Sequence, residues 1–594
     1  MPAFVYKNTA SERGLGNWLM VELRGEGANT QGVGAQLSVW ADGKLHWREQ
    51  VLQRGFQSTV DARLHIGLGE ASLIDSLKLE WPDGRITWME DVAVNQQLTL
   101  SQAEAQEVEQ MLAESDAQPL LIPTNTRLDW RHTENTFVDF DRDRLVFHMR
   151  STEGPAGCVS SDERFIYLGG AKEQPGSLRQ ITKLGWREVF ATEALPEDTD
   201  CAFFDADGDG DDDLYVTSGG NEFSTSSDGL FDRLYSYESG GWNESDGLSS
   251  ANGFYSNGTV SAGDIDGDGD IDLFVGERLK PFALGTPVSG RILQNDGNGS
   301  FTEITESAAP GLLSSGMFTG SAFGDIDGDG DLDLVTVGEW APVRIFTNDG
   351  SGSFTETQLP NSGGWWNELL LQDWDGDGNL DIIALNHGLN SRFKATTEQP
   401  ASLWVSDFDG NGSTEQILTT YNGEQAYPMV LRHDLVNQLP GLKRKYLKYE
   451  SYKEQTIEDI FTPEQLEVAT QLTAQTLAST VWWGNGDGSF SEGKELPWQA
   501  QLSPMYTGAL IDLDRQGNKE LLLGGNLYGV KPEAGRYDAS QGVVISIDND
   551  RTFKVIPASK SGLIVDGQVR AFLPFEQQVM VLRNDETAVF FARN

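Results

Sequence analysis

The sequence predicts an all-β protein: a seven-bladed β-propeller with acidic loops, preceded by a small β-rich domain and interrupted by one helical insertion. Two observations predict the propeller. A nine-residue acidic loop that runs straight into an apolar strand recurs, opening at residues 205, 264, 325, 373, 407 and 512. Between these loops stands a second signature, Asn295-Asp296-Gly297-Asn298-Gly299-Ser300-Phe301, Asn348-Asp349-Gly350-Ser351-Gly352-Ser353-Phe354 and Asn485-Gly486-Asp487-Gly488-Ser489-Phe490, with the composition of hairpin turns. A unit of loop, strand, hairpin and strand, used about seven times, is the pattern of a propeller, whose sheets bury their faces only against their neighbours. A third observation sets the first domain apart. Trp18-Leu19-Met20-Val21-Glu22-Leu23, Ala35-Gln36-Leu37-Ser38-Val39-Trp40 and Ser76-Leu77-Lys78-Leu79-Glu80-Trp81 alternate apolar and polar residues, as half-buried strands do.

In chain order, residues 1–16 read as a remnant strand or linker and residues 17–100 as the β-rich domain, with Pro82-Asp83-Gly84 as a turn between two strands. Residues 101–125 read as a connector. Gln102 to Glu114 has helix-forming composition, and Pro119 and Pro123 stop it. The propeller is expected over 126–594, with blades near 150, 200, 260, 320, 368, 402 and 505, and with Val579-Met580-Val581-Leu582 returning to close the ring. A helical insertion is expected over about 427–480. There Thr462-Pro463-Glu464-Gln465 is a helix start, and Leu466, Ala469, Leu472, Thr476 and Leu477 recur at helical spacing. Leu442 to Lys448 is a basic cluster in an acidic chain, either a solvated face or a docking surface for an acidic partner or a neighbouring domain.

The acidic loops carry the chemistry. Asp264, Asp266, Asp268 and Asp272 place carboxylates at the first, third, fifth and ninth positions, and Gly267 and Gly269 let the backbone curl to aim them at one point. Left alone, such a cluster repels itself. A hard divalent cation relieves it, and an oxygen-rich, flexible cage suits Ca²⁺ better than Mg²⁺. The first half is like an EF-hand, but its twelfth place holds Val275 instead of a bidentate Glu, and a strand follows instead of a helix. The same spacing occurs in Asp205, Asp207, Asp209 and Asp213, in Asp325, Asp327, Asp329 and Asp333, and in Asp373, Asp375, Asp377 and Asp381. Four Ca²⁺ sites are therefore expected. A fifth loop is thinner, with Asp407, Asp409, Asn411 and Glu415, and a sixth from Asp512 to Glu520 has lost charge. Ser160-Ser161-Asp162-Glu163 marks a first blade whose metal loop is lost.

Net charge is −48. Nucleic acid and anionic membrane surfaces are excluded as partners, since both need a basic patch. No apolar run is long enough to span a membrane, and Met1-Pro2-Ala3-Phe4 is not the start of a signal peptide. Loops of this kind suit a calcium-rich compartment, so the chain is expected to be a piece of a longer exported precursor, with signal or anchor outside it. Cys158 and Cys201, the only two cysteines, are too few for a disulfide scaffold. They are either buried small residues or one bridge between neighbouring strands.

Two resemblances rest on these residues. Asn17-Trp18-Leu19, Gly32-Val33-Gly34-Ala35, Gly55-Phe56-Gln57-Ser58, His65-Ile66-Gly67-Leu68-Gly69 and Trp81-Pro82-Asp83-Gly84 resemble the ASPIC/UnbV module of proteins similar to cartilage acidic protein. In that family the module follows a propeller, and Phe4-Val5-Tyr6-Lys7-Asn8 resembles the last strand of a preceding blade. The loops from about 126 onward resemble the FG-GAP/VCBS repeats of integrin-type propellers. That resemblance implies that each metal loop joins the two innermost strands of a blade on one face. The opposite face would then gather the turns that follow each second strand. Glu222, Arg278, Trp340, Asn386, His387, Asn390, Arg392, Asn526 and Tyr528 lie on those turns, and their mixture of rings, amides and charges suits a glycan, peptide or protein ligand. The expected role is an extracellular or cell-surface binding or scaffold protein. Domain order resembles that of bacterial proteins associated with outer-membrane nutrient uptake, which implies a transporter complex as partner. The rival class is a polysaccharide- or ester-cleaving enzyme using carboxylates beside His387, since the family includes propellers attached to lyases and phospholipases. The sequence shows no nucleophile elbow, zinc signature or phosphate-cradling glycine loop.

Overall fold

The computed structural model describes residues 7, 9, 13–53, 55–106, 118–182 and 185–594. They belong to two compact units, Met1–Ala117 and Gln118–Asn594. The strand resemblance at Phe4 to Asn8 lies outside the described residues apart from Lys7, and so does most of the stretch from Gln102 to Glu114, of which Gln102–Glu104 is one 3₁₀ turn.

In the first unit the alternating segments form two sheets. Asn17–Arg24 lies between Leu64–Gly69 and Gln96–Ser101, and Gln36–Ala41 lies between Lys44–Glu49 and Leu73–Glu80, with Ile86–Ala93 at the edge. The period-2 pattern turns Leu19, Val21, Leu37, Val39, Ile66, Leu77 and Leu79 inward to one core capped by Trp81. Burying such side chains contributes roughly 1.5–3 kcal/mol each.

The second unit is a seven-bladed propeller. Its inner strands are Gly157–Val159, Glu197–Phe204, Ser256–Gly263, Phe318–Gly324, Gly364–Gln372, Met505–Ile511 and Gln568–Phe575, each packed beside the next and the last beside the first. The seventh sheet runs Gln568–Phe575, Gln578–Asn584, Val589–Arg593 and then Leu121–Pro123. Register Phe591↔Pro123, Ala592↔Ile122 and Arg593↔Leu121 joins the two ends of the unit in one blade. Closure of this kind locks the ring by pairing its two ends in one sheet, while each blade keeps only a short edge.

Three expectations change here. The segment near 402 is not a blade of the ring. Ala401–Ser406, Glu415–Asn422, Gln425–Pro428 and Thr470–Ala474 form a separate four-stranded sheet, inserted between the second and third strands of the fifth blade, Asp381–Asn386 and Thr480–Trp482. The tail from Gln568 supplies the seventh blade instead. The insertion is helical only between its strands, in Arg432–Gln438, Ile457–Ile460 and Pro463–Glu467. The capping box at Thr462 forms: Gln465 N–H donates to Thr462 Oγ1 at 3.3 Å and Thr462 N–H to Gln465 Oε1 at 3.0 Å. The helix nevertheless stops at Glu467, and Leu472 pairs with Leu403 in a strand. Burial against the inserted sheet outweighs helical spacing there. Finally, part of the connector at 101–125 belongs to the propeller, because Leu121–Pro123 completes the last blade.

The cysteines are joined. Cys158 and Cys201 lie on the inner strands of the first and second blades, with Cα atoms 6.0 Å apart.

Candidate metal loops and the opposite face

Each loop is shaped by its own carboxylates. In the third blade Gly267 and Gly269 N–H donate to the Asp264 carboxylate at 2.8 and 3.1 Å, Asp268 N–H to Asp266 Oδ1 at 3.3 Å and Asp270 N–H to Asp268 Oδ1 at 3.0 Å. The curl needs φ of +73° at Gly267 and +96° at Gly269, a region that glycine occupies without strain. Asp272 opens the next strand and is buried. Its Oδ2 accepts from Ile265 N–H at 3.2 Å and its Oδ1 from Asn295 N–H at 2.8 Å. The pattern repeats at Asp213, Asp333 and Asp381, which accept from Ala206, Ile326 and Trp374 N–H at 2.9–3.1 Å. Burial, countered by these N–H donors and reinforced by the loop's other carboxylates, pushes each ninth-place Asp up to about 6.

The residues present fit a calcium ion. Carboxylate oxygens of Asp205, Asp207 and Asp213 lie within 4.8 Å of one another, as do those of Asp264, Asp266 and Asp272, of Asp325, Asp327 and Asp333, of Asp373, Asp375 and Asp381, and of Asp407, Asp409 and Glu415. That span is about twice a calcium–oxygen distance of roughly 2.4 Å. The compact triads are built from the first, third and ninth positions. The fifth-place residues Asp209, Asp268, Asp329 and Asp377 stand outside them, each accepting the N–H two residues on. The loops of the second to fifth blades join the two innermost strands, whereas the loop from Asp407 joins two strands of the inserted sheet.

The hairpin signature does more than turn the chain. Asn295 Nδ2–H donates to Ala206 O at 2.9 Å and Asn348 Nδ2–H to Ile265 O at 2.7 Å. Each Asn thus ties the ninth-place Asp of its own blade to the metal loop of the blade before it. Gly484 takes that place in the fifth blade and donates its N–H to Asp381 Oδ1 at 3.0 Å.

Where a loop departs from the pattern, cationic side chains enter. In the first blade Asp162 pairs with Arg164, which also reaches Asp211 in the second blade's loop at 2.7 Å. Arg551 from the sixth blade reaches Asp375 at 2.5 Å and Asp377 at 3.0 Å. In the sixth loop Arg515 takes the place of the first glycine and keeps φ at +58°.

The opposite face is covered more than the sequence implies. Trp340 is buried with its ring 4.7 Å from Trp365, and His387 is buried in a mutual cluster with Trp365 at 4.8 Å and His148 at 5.3 Å, which are themselves 4.8 Å apart. Phe393, Ala401, Leu403 and Leu418 complete that core, which the inserted sheet builds over the fifth blade. Burial pushes His387 down to about 3, so it stays neutral. Asn386 and Asn526 are buried and spend their amides on Thr476 O and Ala478 O, and on Ser540 O and Gly567 O. The cover over Trp340, Asn386 and His387 comes from a distant segment, which sequence spacing could not reveal, whereas Asn526 is tied to Ser540 and Gly567 nearer in the chain. Asn390 and Arg392 remain exposed, and Tyr528 is half-buried with the Arg536 guanidinium 3.7 Å from its ring centre. Arg278 is held between Glu153 at 2.7 Å and Glu339 at 3.0 Å, and Glu222 is buried nearby on the same face.

Sequence reasoning missed the groove beside these turns. A cavity of about 480 Å³ is lined by Phe137, Arg142, Asn221, Lys280, Phe282 and Thr414 among others. The Arg142 guanidinium lies 3.2 Å from the Phe282 ring centre, and Asn221 receives Phe282 N–H at 2.7 Å while donating to Asp139 at 2.6 Å. Asn221, next to Glu222 on its turn, is the lining residue that sequence position points to.

Comparison with known proteins agrees with this architecture. The chain is a β-propeller protein with a separate N-terminal β domain. Residues 25–107 match the ASPIC and UnbV family, and residues 199–275, 282–336 and 325–384 match the FG-GAP-like repeat. The chain thus carries an ASPIC and UnbV domain followed by FG-GAP-like repeats. No curated protein matches the sequence. Among solved structures, the Dos1 propeller is similar at 9% identity, covering 76% of this chain and 97% of its own, with a TM-score of 0.35. YCF48 from Cyanidioschyzon merolae is similar at 10% identity, covering 75% of this chain and 98% of its own, with a TM-score of 0.35.

Proposed function

We propose that this chain is a calcium-stabilised, extracellular or cell-surface binding and scaffold protein. Its ligand is a glycan, a peptide or a partner protein, and an outer-membrane nutrient-uptake complex is the partner that domain order favours. The observation that carries the reading is the set of converging carboxylate triads, repeated blade after blade with the same donors. Asp205, Asp207 and Asp213 and their counterparts would hold Ca²⁺, whose role there is to neutralise the loops and fix the turn between inner strands. The ring is then a rigid platform, and the groove of Phe137, Arg142 and Phe282 offers rings and hydrogen-bonding groups to a polar ligand. The enzyme alternative loses its acid–base candidate, since His387 is buried and neutral.

Screening the purified protein against glycan and peptide arrays in Ca²⁺ tests this. Binding that Arg142→Ala and Phe282→Ala weaken at least tenfold supports the groove. Turnover of a polysaccharide or ester would overturn the binding reading.

A further inference from the structure

On the face away from the metal loops, four glutamates from distant parts of the chain converge. Glu197 opens the inner strand of the second blade and pairs with Gly219, at the end of that blade far from its loop. Glu222 follows three residues after the strand Asp213–Gly219. Glu134 and Glu153 come from the segment before the first blade, and Gly154 N–H donates to Glu134 Oε1 at 3.1 Å. Burial, and after it the neighbouring carboxylates of Glu222, Glu134 and Glu153, push Glu197 well above its ordinary value. The Asn135 amide, next to Glu134 in the chain, reaches Glu222, whose carboxylate lies over Gly220 beside the Glu197–Gly219 pair, and Gly154 N–H ties Glu134 to the turn after Glu153, so the four residues gather in one place.

Their oxygens are short of donors. Asn135 reaches Glu222 Oε1 at 3.3 Å and Arg278 reaches Glu153 Oε2 at 2.7 Å. Among the described residues no N–H or O–H donor reaches Glu134 Oε2, Glu153 Oε1, Glu222 Oε2 or either oxygen of Glu197, all of them buried. Glu197 is 1% exposed, and the partner its carboxyl meets is the carboxyl of Glu222, itself a member of the cluster. Leaving a buried carboxylate without a partner is costly, and three cations nearby do not reach these oxygens, Arg570 spending its guanidinium on the Glu153, Asn526 and Val569 carbonyls. Lys172 Nζ contacts the Glu222 backbone carbonyl at 3.3 Å, and Arg278 is shared with Glu339. Glu153 also lines a cavity of about 200 Å³ on the propeller axis, together with Arg278, Tyr506 and Arg570, which gives the cluster a polar approach.

We propose that Glu134, Glu153, Glu197 and Glu222 form a further divalent-cation site, distinct from the acidic loops and on the opposite face of the propeller. The donor set is all carboxylate, with five oxygens that no N–H or O–H donor reaches among the described residues, and a hard ion that takes six to eight oxygens with water completing its shell, such as Ca²⁺, suits it. The ion would pin the segment before the first blade to the second blade. Sequence could not show this site, because its members share no motif.

The test is ion stoichiometry of the full chain, by elemental analysis after equilibration with CaCl₂ and removal of free ion. Glu197→Gln is expected to bind one Ca²⁺ fewer than the wild type. Asp266→Ala is expected to lose a different one, so that the double variant loses both. Crystals soaked in MnCl₂ provide a readout on the unaltered protein, with an anomalous peak expected among the four glutamates. Unchanged stoichiometry in both Glu197→Gln and Glu134→Gln, together with no anomalous peak at the cluster, would overturn the proposal and leave protons shared between the carboxyls as the remedy. That result would leave the loop ions untouched, since Asp266→Ala reports on them separately.

Discussion

Asn348 donates its side-chain amide to the carbonyl of Ile265, 2.7 Å away and 83 residues earlier in the chain. The same amide reaches Leu332 O at 3.1 Å, while the Asn348 N–H donates to Asp333 Oδ1 at 2.8 Å. One hairpin residue therefore connects the acidic loops of consecutive blades, and Asn295 repeats the arrangement one blade earlier. Blade order is held by hydrogen bonds as well as by packing.

Asn348→Ala is expected to lower stability by about 2 kcal/mol, because it strips a buried and a half-buried carbonyl of their donor. Urea denaturation of the second unit's transition measures it. A change within a few tenths of a kcal/mol would mean that packing alone fixes the order of the blades.

The fold was largely legible because the loops and hairpins repeat with chemistry attached. The ring was misnumbered at one place for a physical reason. The loop from Asp407 has the right residue types but joins two strands of an inserted sheet, and the second half of the fifth blade resumes only at Thr480–Trp482. The signature at Asn485 belongs with that resumed blade, which ties it to the loop from Asp373 instead of the nearer one. The triads at first, third and ninth places were legible from spacing. The burial of Trp340 and His387 was not, because the sheet that covers them is distant in sequence.

Arg551 touches two carboxylates of the fourth loop, and its positive charge competes with a cation for them. Arg551→Ala is expected to raise the calcium affinity of that loop several-fold, read by terbium luminescence or calorimetry. An unchanged or weakened affinity would show that Arg551 supports the site from outside.

Arg515 holds a left-handed backbone where the other loops place glycine. Arg515→Gly is expected to stabilise the protein by roughly 0.5–1 kcal/mol, less what its hydrogen bond to Gln577 at 2.5 Å contributes. Thermal unfolding in the presence of calcium checks the sign.

The pH response follows from the ninth-place carboxyls. Asp213, Asp272, Asp333 and Asp381 are raised from 3.8 to about 6 in the folded chain. Without calcium these four groups bind more protons in the folded than in the unfolded state between those values, so the stability they contribute is fullest below about pH 4 and falls as pH rises through 6. Calcium binds only the ionised carboxyls. The gap in melting temperature between calcium-loaded and chelated protein is therefore expected to widen from pH 5 to pH 7. A gap that narrows over this range would contradict the arrangement of these side chains.

The central claim is that the acidic loops are calcium cages that hold the blades. Its most direct measurement is the melting temperature of the full chain in CaCl₂ and in chelator, for the wild type and for Asp266→Ala. Each site contributes about 2.7 kcal/mol at a hundredfold excess over Kd, so chelation is expected to lower the wild-type melting temperature by several degrees. Asp266→Ala in calcium is expected to fall part of the way toward the chelated value. A wild-type melting temperature indifferent to chelation would contradict the account.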